Sequence, residues 1–367
     1  MSKQDDFSPA NNPAGCTRPS TRRRFLLACG AGAIALGLGV KGFRPGPSAK
    51  DSSKGLKFAR RSSRALGSEV SILVLHEDQS AGERALDAAF AELARVERVM
   101  SIYLPQSQVC RLNAEGVLGN PDPYLVQVLR QACAISERSA GAFDITVQPL
   151  WELYSAAQRE GHLPPDADID AARKKVDWRG ITVAPHEIRL RAGMMAITLN
   201  GIAQGFAADR AMEALKRHGI RHALVNAGEV SSLGRKSGGA PWVVGIQHPR
   251  QKDAYLGLAR LDGRCMSTSG DYATAFTPDL AYNHIFDPAT GRSPALFSSV
   301  TVVAPDATSA DALSTAIFVL GPERGLALAQ ETPGTDVLLV MKDQRTLATP
   351  SFPWNTEKAG EPTGIAS

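Results

Sequence analysis

Beyond residue 65 the apolar positions switch between strand and helix spacing with no regular beat, and this irregular order narrows the folds open to the chain. Glu69–Leu75 (EVSILVL) reads as a strand. Ala81–Val99 follows at once with Leu86, Phe90, Leu93 and Val96 along one helical face, and Pro123–Ser139 repeats that period through Leu125, Val128, Leu129, Ala132 and Ile135. The acidic, Pro-Pro-containing segment 152–178 reads as an insertion with short helices. Strands are expected near Gly180–Val183, Ile188–Arg191 and Met194–Leu199, then a helix over Gly205–His218 closed by Gly219. Ala223–Asn226, Trp242–Gln247 and Leu256–Leu261 read as further strands, and 282–303 as short strands and a turn. Thr308–Leu320 and Pro322–Gln330 read as helices and Val337–Met341 as a last strand. A strict βαβ rhythm is missing, which predicts a single mixed α+β domain. No repeat of 20–50 residues is present.

That domain is expected over 66–345, behind a leader (1–49) and a Pro/Ser/Lys-rich linker (50–65), and ahead of a loose tail (346–367). The leader carries Arg22-Arg23-Arg24 before Phe25-Leu26-Leu27 and an apolar, glycine-rich run to Val40. That run is shorter than the ~20 residues a membrane span needs. It reads as a twin-arginine export signal, placing the protein in the periplasm, or at the inner membrane if uncleaved. The leader holds seven basic and two acidic residues, so the rest carries 34 basic against 35 acidic. The overall +4 therefore belongs to the leader, and no basic stripe argues for nucleic acid. Gly30–Ala35 (GAGAIA) fits a dinucleotide fingerprint on paper, but no strand precedes it. Outside the leader the cysteines are Cys110, Cys133 and Cys265, with no CxxC, which argues against zinc and against a disulfide framework.

The stretch TLNGIAQGFAADR, Thr198–Arg210, raises the question of chemistry. An expected strand ends, a glycine turn follows and an alanine-rich helix begins, a shape that often holds phosphate at the helix N-terminus. It matches neither GxGxxG nor GxxxxGK[ST]. Alternatively Gly201 and Gly205 only let the helix pack closely, and the stretch leaves both readings open. Asp311 and Thr315 lie four apart in SADALSTAIF, on one helical face, as hard oxygen donors suited to Mg²⁺. The competing reading makes Thr308 an N-cap with Asp311 at N3 of a capping box, and spacing alone favours it. His284 precedes the turn Asp287-Pro288-Ala289-Thr290-Gly291, and a lone histidine there is more often structural than catalytic. Ser267–Tyr272 (STSGDY) reads as a polar, glycine-hinged loop. Ser139–Thr146 (SAGAFDIT) reads as a small-residue loop open to a flat or charged ligand, or as a simple turn. No GxSxG elbow signals a hydrolase serine.

Taken in order, six segments resemble the ApbE family, the FAD:protein FMN transferases, from about Leu66 to Gln330. They are MSIYLPQSQVCRLN, SAGAFDITVQPLW, LNGIAQGFAADRAMEALKRHGI, STSGDY, HIFDPATGRSP and VTVVAPDATSADALSTAIFVLG. The resemblance implies a Mg²⁺-dependent enzyme that moves FMN from FAD to a Thr or Ser hydroxyl of a redox protein and releases AMP. It assigns the metal to a backbone carbonyl of Gly201 with Asp311 and Thr315. It assigns FAD contacts to Leu66, Tyr103, Ala142, Phe143, Asp144, Thr198, Gln204, Ile285 and Ser314. His284 matches the histidine proposed to assist catalysis, and Asp287 is expected to orient it. Most members carry Asp at the position of Thr198 and Lys at that of Gln204, and their NxGGE segment here reads Asn226-Ala227-Gly228-Glu229, one glycine short. With the export signal, this variant is similar to the NosX-type subgroup, accessory to periplasmic nitrous oxide reduction and acting on a membrane partner. A flavin carrier without transferase activity and an FAD pyrophosphatase are the alternatives.

Overall fold

The computed structural model describes residues 55–191 and 195–356. The leader, residues 50–54 of the linker and residues 357–367 of the tail lie outside them. In chain order the strands are β1 (Lys57–Ala65), β2 (Ser68–His76), β3 (Val117–Gly119), β4 (Ile181–Val183), β5 (Glu187–Leu190), β6 (His222–Asn226), β7 (Val230–Leu233), β8 (Trp242–Gln247), β9 (Tyr255–Leu261), β10 (Cys265–Gly270), β11 (Phe297–Ala304), β12 (Asp336–Met341) and β13 (Thr346–Ala348). The helices are α1 (Gln79–Met100), α2 (Gln108–Glu115), α3 (Pro123–Arg138), α4 (Gln148–Arg159), α5 (Asp166–Arg173), α6 (Ala203–Arg217), α7 (Ala307–Leu320) and α8 (Pro322–Gln330).

Eight strands form one antiparallel sheet in the order β1-β2-β6-β7-β10-β11-β12-β13. Both faces are covered, which is why EVSILVL and SVTVVA read as nearly unbroken apolar runs. Val70, Ile72 and Val74 of β2 face a core built with α1, α6 and α7, whereas Leu73 and Leu75 face the β8–β9 hairpin through Trp242, Val244 and Ile246. The period of two along one strand thus serves two cores. The insertion expected at 152–178 contributes α4 and α5, which bury Leu150, Tyr154 and Ile169 against Phe276 and Phe286 in a separate aromatic cluster. The mixed α+β single domain is as expected.

Several expectations are corrected. Residues 57–65, read as linker, form β1, paired with β2 along its whole length. Only Ala59 of its nine residues is buried and most of the rest are exposed Lys, Arg and Ser, so an edge strand looked like a linker. STSGDY, read as a loop, begins inside β10, a central strand whose Ser267 is buried and whose Ser267 and Ser269 hydroxyls meet Ser314 of α7. Residues 195–199, read as strand, are extended but join no sheet. Ile197 exchanges both backbone hydrogen bonds with the Asn113 side chain (2.8 Å each), and the Thr198 N–H donates to the Ile145 carbonyl (2.8 Å). The segment 282–303 is mostly turns, with β11 taking its end. The tail is not loose at its start: β13 pairs with β12, Phe352 is buried, and Trp354 bridges to Ala259. Among the described residues no disulfide joins Cys110, Cys133 or Cys265.

Candidate functional site

Two helices meet end to side at the site. The first turn of α6 has N–H groups without intrahelical partners. Ile202, at its N-cap, supplies no side-chain bond. Asp311 of α7 fills the gap, its Oδ2 accepting from the Gly205 N–H at 2.9 Å. The service is returned: Asp209 of α6 accepts from the Ala307 and Thr308 N–H groups at the start of α7 (2.9 Å each) and from the Thr308 hydroxyl. The N-cap of α7 is Asp306, which accepts from the Ser309 N–H at 2.7 Å. The capping box expected from Thr308 and Asp311 is therefore not made, and Asp311 is released to a different helix. Gly205 is demanded by this crossing, since a Cβ there would lie 2.2 Å from the Ala307 carbonyl oxygen and 2.8 Å from the Asp311 Cβ.

One turn along α7, Thr315 lies beside Gly201: a Cβ on that glycine would sit 3.2 Å from the Thr315 Oγ1. The Thr315 hydroxyl is 3.2 Å from Ser269 Oγ of β10. Gly201, Asp311 and Thr315 all line one cleft, though 114 positions separate the ends of the set in sequence. A carboxylate, a hydroxyl and a main-chain carbonyl form a hard donor set for Mg²⁺. Among the described residues no group of three His, Cys, Asp or Glu could hold a metal ion.

A further carboxylate in the cleft was given no role by sequence. Glu229 occupies the β6–β7 turn, is 6% exposed and lines the cleft, and its Oε2 has no hydrogen-bond partner. Burial raises its pKa well above the usual carboxylate range and the charge of Asp311 adds to this, against the Ser267 hydroxyl and Thr268 N–H. Burial likewise raises Asp311, with the Gly205 N–H opposing and Asp209 adding. Two buried acids on one cleft, Asp311 bonded through Oδ2 and Glu229 with Oε2 unbonded, suit a divalent cation, because a cation would relieve both burial and repulsion. The available signal was a lone acid in a turn between apolar strands, which many surface turns share.

His284 lines the cleft from the opposite loop. Its Nδ1 is 3.2 Å from the Thr274 carbonyl oxygen, which accepts only a donor, so the proton sits on Nδ1 and Nε2 keeps its lone pair. Desolvation lowers its pKa to about 4. Asp287, expected to orient this ring, does not line the cleft. It accepts from the Ala289 N–H (2.9 Å) and the Thr290 hydroxyl (3.1 Å) and so folds its own turn. The Thr274 carbonyl holds the imidazole instead.

The residues assigned to FAD divide three ways. Leu66, in the β1–β2 turn, and Gln204, on the first turn of α6, line the cleft together, and the Gln204 amide donates to the Leu66 carbonyl (3.4 Å). Tyr103, Ala142, Phe143, Thr198 and Ile285 also line it, Tyr103 at the open rim with 53% exposure. Asp144 lines it too, but its carboxylate is spent on local structure, accepting from the Thr146 N–H and hydroxyl and the Trp178 N–H. Burial raises its pKa despite those bonds. Ser314 stands behind the wall, fully buried and bonded to Ser269 (2.7 Å) and the Asp311 carbonyl (2.8 Å), supporting the site rather than lining it. Trp151 and Tyr272 also line the cleft, unassigned from sequence.

This geometry has counterparts. A family model described as the ApbE family matches residues 66–339. The FAD:protein FMN transferase of Treponema pallidum is 34% identical over 287 residues, covering 72% of this chain and 79% of that one. The Escherichia coli K12 protein of the same name is 31% identical over 272 residues, covering 70% and 77%. Among solved structures, the ApbE protein of Thermotoga maritima superposes with a TM-score of 0.73 at 30% identity, covering 80% of this chain and 97% of that one. The apo flavinyl transferase ApbE of Pseudomonas stutzeri gives 0.70 at 30%, covering 81% and 96%. The crossing helices with their shared acids thus sit on a fold and a sequence matched from end to end of the domain, and the chain belongs to the ApbE family.

Proposed function

We propose that this chain is a Mg²⁺-dependent FAD:protein FMN transferase, moving FMN from FAD to a Thr or Ser hydroxyl of a redox protein with release of AMP. The observation that carries this is the convergence of Gly201, Asp311, Thr315 and His284 on one cleft. Asp311, Thr315 and the Gly201 carbonyl would hold the cation. Bound there, it supplies charge neutralisation for the diphosphate oxygens. The N-terminus of α6 faces the same cleft and favours anionic oxygens. His284, neutral at pH 7 with Nε2 free, takes the proton of the acceptor hydroxyl. The hydroxyl oxygen then bonds to the flavin-side phosphorus, the bond from that phosphorus to the bridging oxygen breaks, and AMP leaves with that oxygen. Gln204, neutral and tied to Leu66, adds no cation to this wall.

The periplasmic setting, a membrane-associated acceptor and a part in nitrous oxide reduction rest on the arginine-led leader and on the similarity of the LNGIAQG stretch to the NosX-type subgroup. Among the described residues no helix is long and apolar enough to cross a membrane.

The test is to incubate the protein with FAD, Mg²⁺ and a candidate acceptor domain, denature, and look for flavin fluorescence on the acceptor band. Labelling lost with Asp311→Ala, and with the acceptor threonine changed to alanine, is the expected result. AMP release without labelling would make it a pyrophosphatase, and FAD binding with neither would make it a carrier.

A further inference from the structure

Glu229 is the buried acid that the reaction above leaves unused. It is 94% withdrawn from solvent, it lines the cleft, and its Oε2 meets no donor. Such an oxygen is rare in a folded protein, because a buried acceptor with no donor has given up its hydration and gained nothing in return. The fold does not leave it there by accident of a loose turn. Gly228 has φ +96 and packs against the Gln204 carboxamide, so closely that a Cβ would lie 2.8 Å from it. The Asn226 Oδ1 accepts from the Gly228 N–H (3.3 Å), and the Ala227 N–H donates to the Glu229 carbonyl (3.0 Å). The turn is therefore fixed against the first turn of α6, three residues past Gly201.

On its other side, Met266 of β10 pairs with Val230, so the next position along sets Ser267 opposite Glu229. Ser267 Oγ lies 3.3 Å from Ser314 Oγ, and Ser314 lies 2.7 Å from Ser269, whose hydroxyl is 3.2 Å from Thr315. The same Ser314 hydroxyl donates to the Asp311 carbonyl. One polar layer thus runs from Glu229 to the Thr315 hydroxyl and to the Asp311 main-chain carbonyl.

We propose that Glu229 is a further oxygen donor to the divalent cation held by Gly201, Asp311 and Thr315, its free Oε2 completing a site with two carboxylates instead of one. This rests on the transferase reading of that site. Two negative charges balance a divalent cation, where Asp311 alone would leave it half neutralised. An alternative use, accepting an N–H or O–H of the flavin nucleotide, predicts no effect on cation binding without FAD.

The experiment measures Mn²⁺ binding to the full chain without FAD, by the loss of free-ion electron paramagnetic resonance signal, for wild type, Glu229→Gln and Asp311→Asn. Expected are a single bound ion in wild type, its loss in Asp311→Asn, and about ten- to a hundred-fold weaker binding in Glu229→Gln, the scale for losing a metal-site partner. Melting in EDTA provides a second readout. Glu229→Gln should melt at or above the wild-type temperature, since an isosteric amide replaces a buried ionisable acid, while the upshift on adding Mn²⁺ shrinks. A merely structural glutamate would instead lower the EDTA melt and leave the upshift intact. Wild-type affinity in Glu229→Gln alongside loss in Asp311→Asn overturns this proposal alone. No binding in wild type overturns the cation reading itself, and this proposal with it.

Discussion

At the scale of single residues, two groups carry the testable chemistry. His284→Ala should lower the labelling rate by about 10²–10⁴-fold with FAD binding kept, as for the loss of a general base. Because desolvation holds its pKa near 4, the wild-type rate should stay flat as pH falls from 8 to below 6. An acid limb centred at the ordinary histidine value of ~6.5 would count against the buried, Thr274-bound tautomer. Asp311 gives the opposite linkage. Its native pKa is raised, so without a cation the native state holds a proton that the unfolded chain releases in the ordinary carboxylate range. Stability from this group is full at low pH and is lost as pH rises through the native value. Asp311→Asn keeps an acceptor for the Gly205 N–H and removes the charge. In EDTA it should therefore exceed wild type by about 1–3 kcal/mol at pH 8, with the gap closing near pH 4, read from urea midpoints.

At the scale of elements, the α6–α7 crossing is the joint on which the site depends. Gly205→Ala drives a methyl into the Ala307 main chain, and overpacking of this kind costs about 1–3 kcal/mol. The displaced carboxylate should also weaken cation binding, which separates this effect from a plain packing defect. Asp209 stands at the same joint, accepting from two N–H groups and the Thr308 hydroxyl. Asp209→Ala should cost about 2 kcal/mol in denaturant melts, the upper range for losing an N-cap. These caps explain why the sequence misled at Asp311. A Thr-x-x-Asp spacing promises a local capping box, but the acids are exchanged between helices about 100 positions apart. Nothing local in ATSADALST marks which partner wins.

At the scale of the whole molecule, β1 is the open edge of an eight-stranded sheet and holds nine residues in register with β2. A chain started after residue 65 should melt well below one started at residue 55, and should aggregate through the bared edge of β2. Restored solubility of the shorter chain would show the strand to be dispensable. Strong patterns were legible: β2 as an apolar run, α1 and α3 from apolar spacing, while α6, α7 and α8 were read as helices without such a stripe. Weak or polar strands were not. β1 read as a linker because its outward side chains are basic and serine-rich, and β10 read as a loop because its serines find their hydrogen-bond partner only on α7.

The sequence by itself determined the α+β class, the main helices and the residue types of the site, because apolar period and donor chemistry are local properties. It also supplied the ordered motifs that the family shares. Only the tertiary structure decided that Asp311 caps α6 instead of its own helix, that Asp287 merely folds a turn, that Ser314 lies behind the wall, and that Glu229 is buried with an oxygen unspent. Each of these depends on which distant backbone donor arrives first at a polar side chain, and that is settled by the packing of helices and sheet.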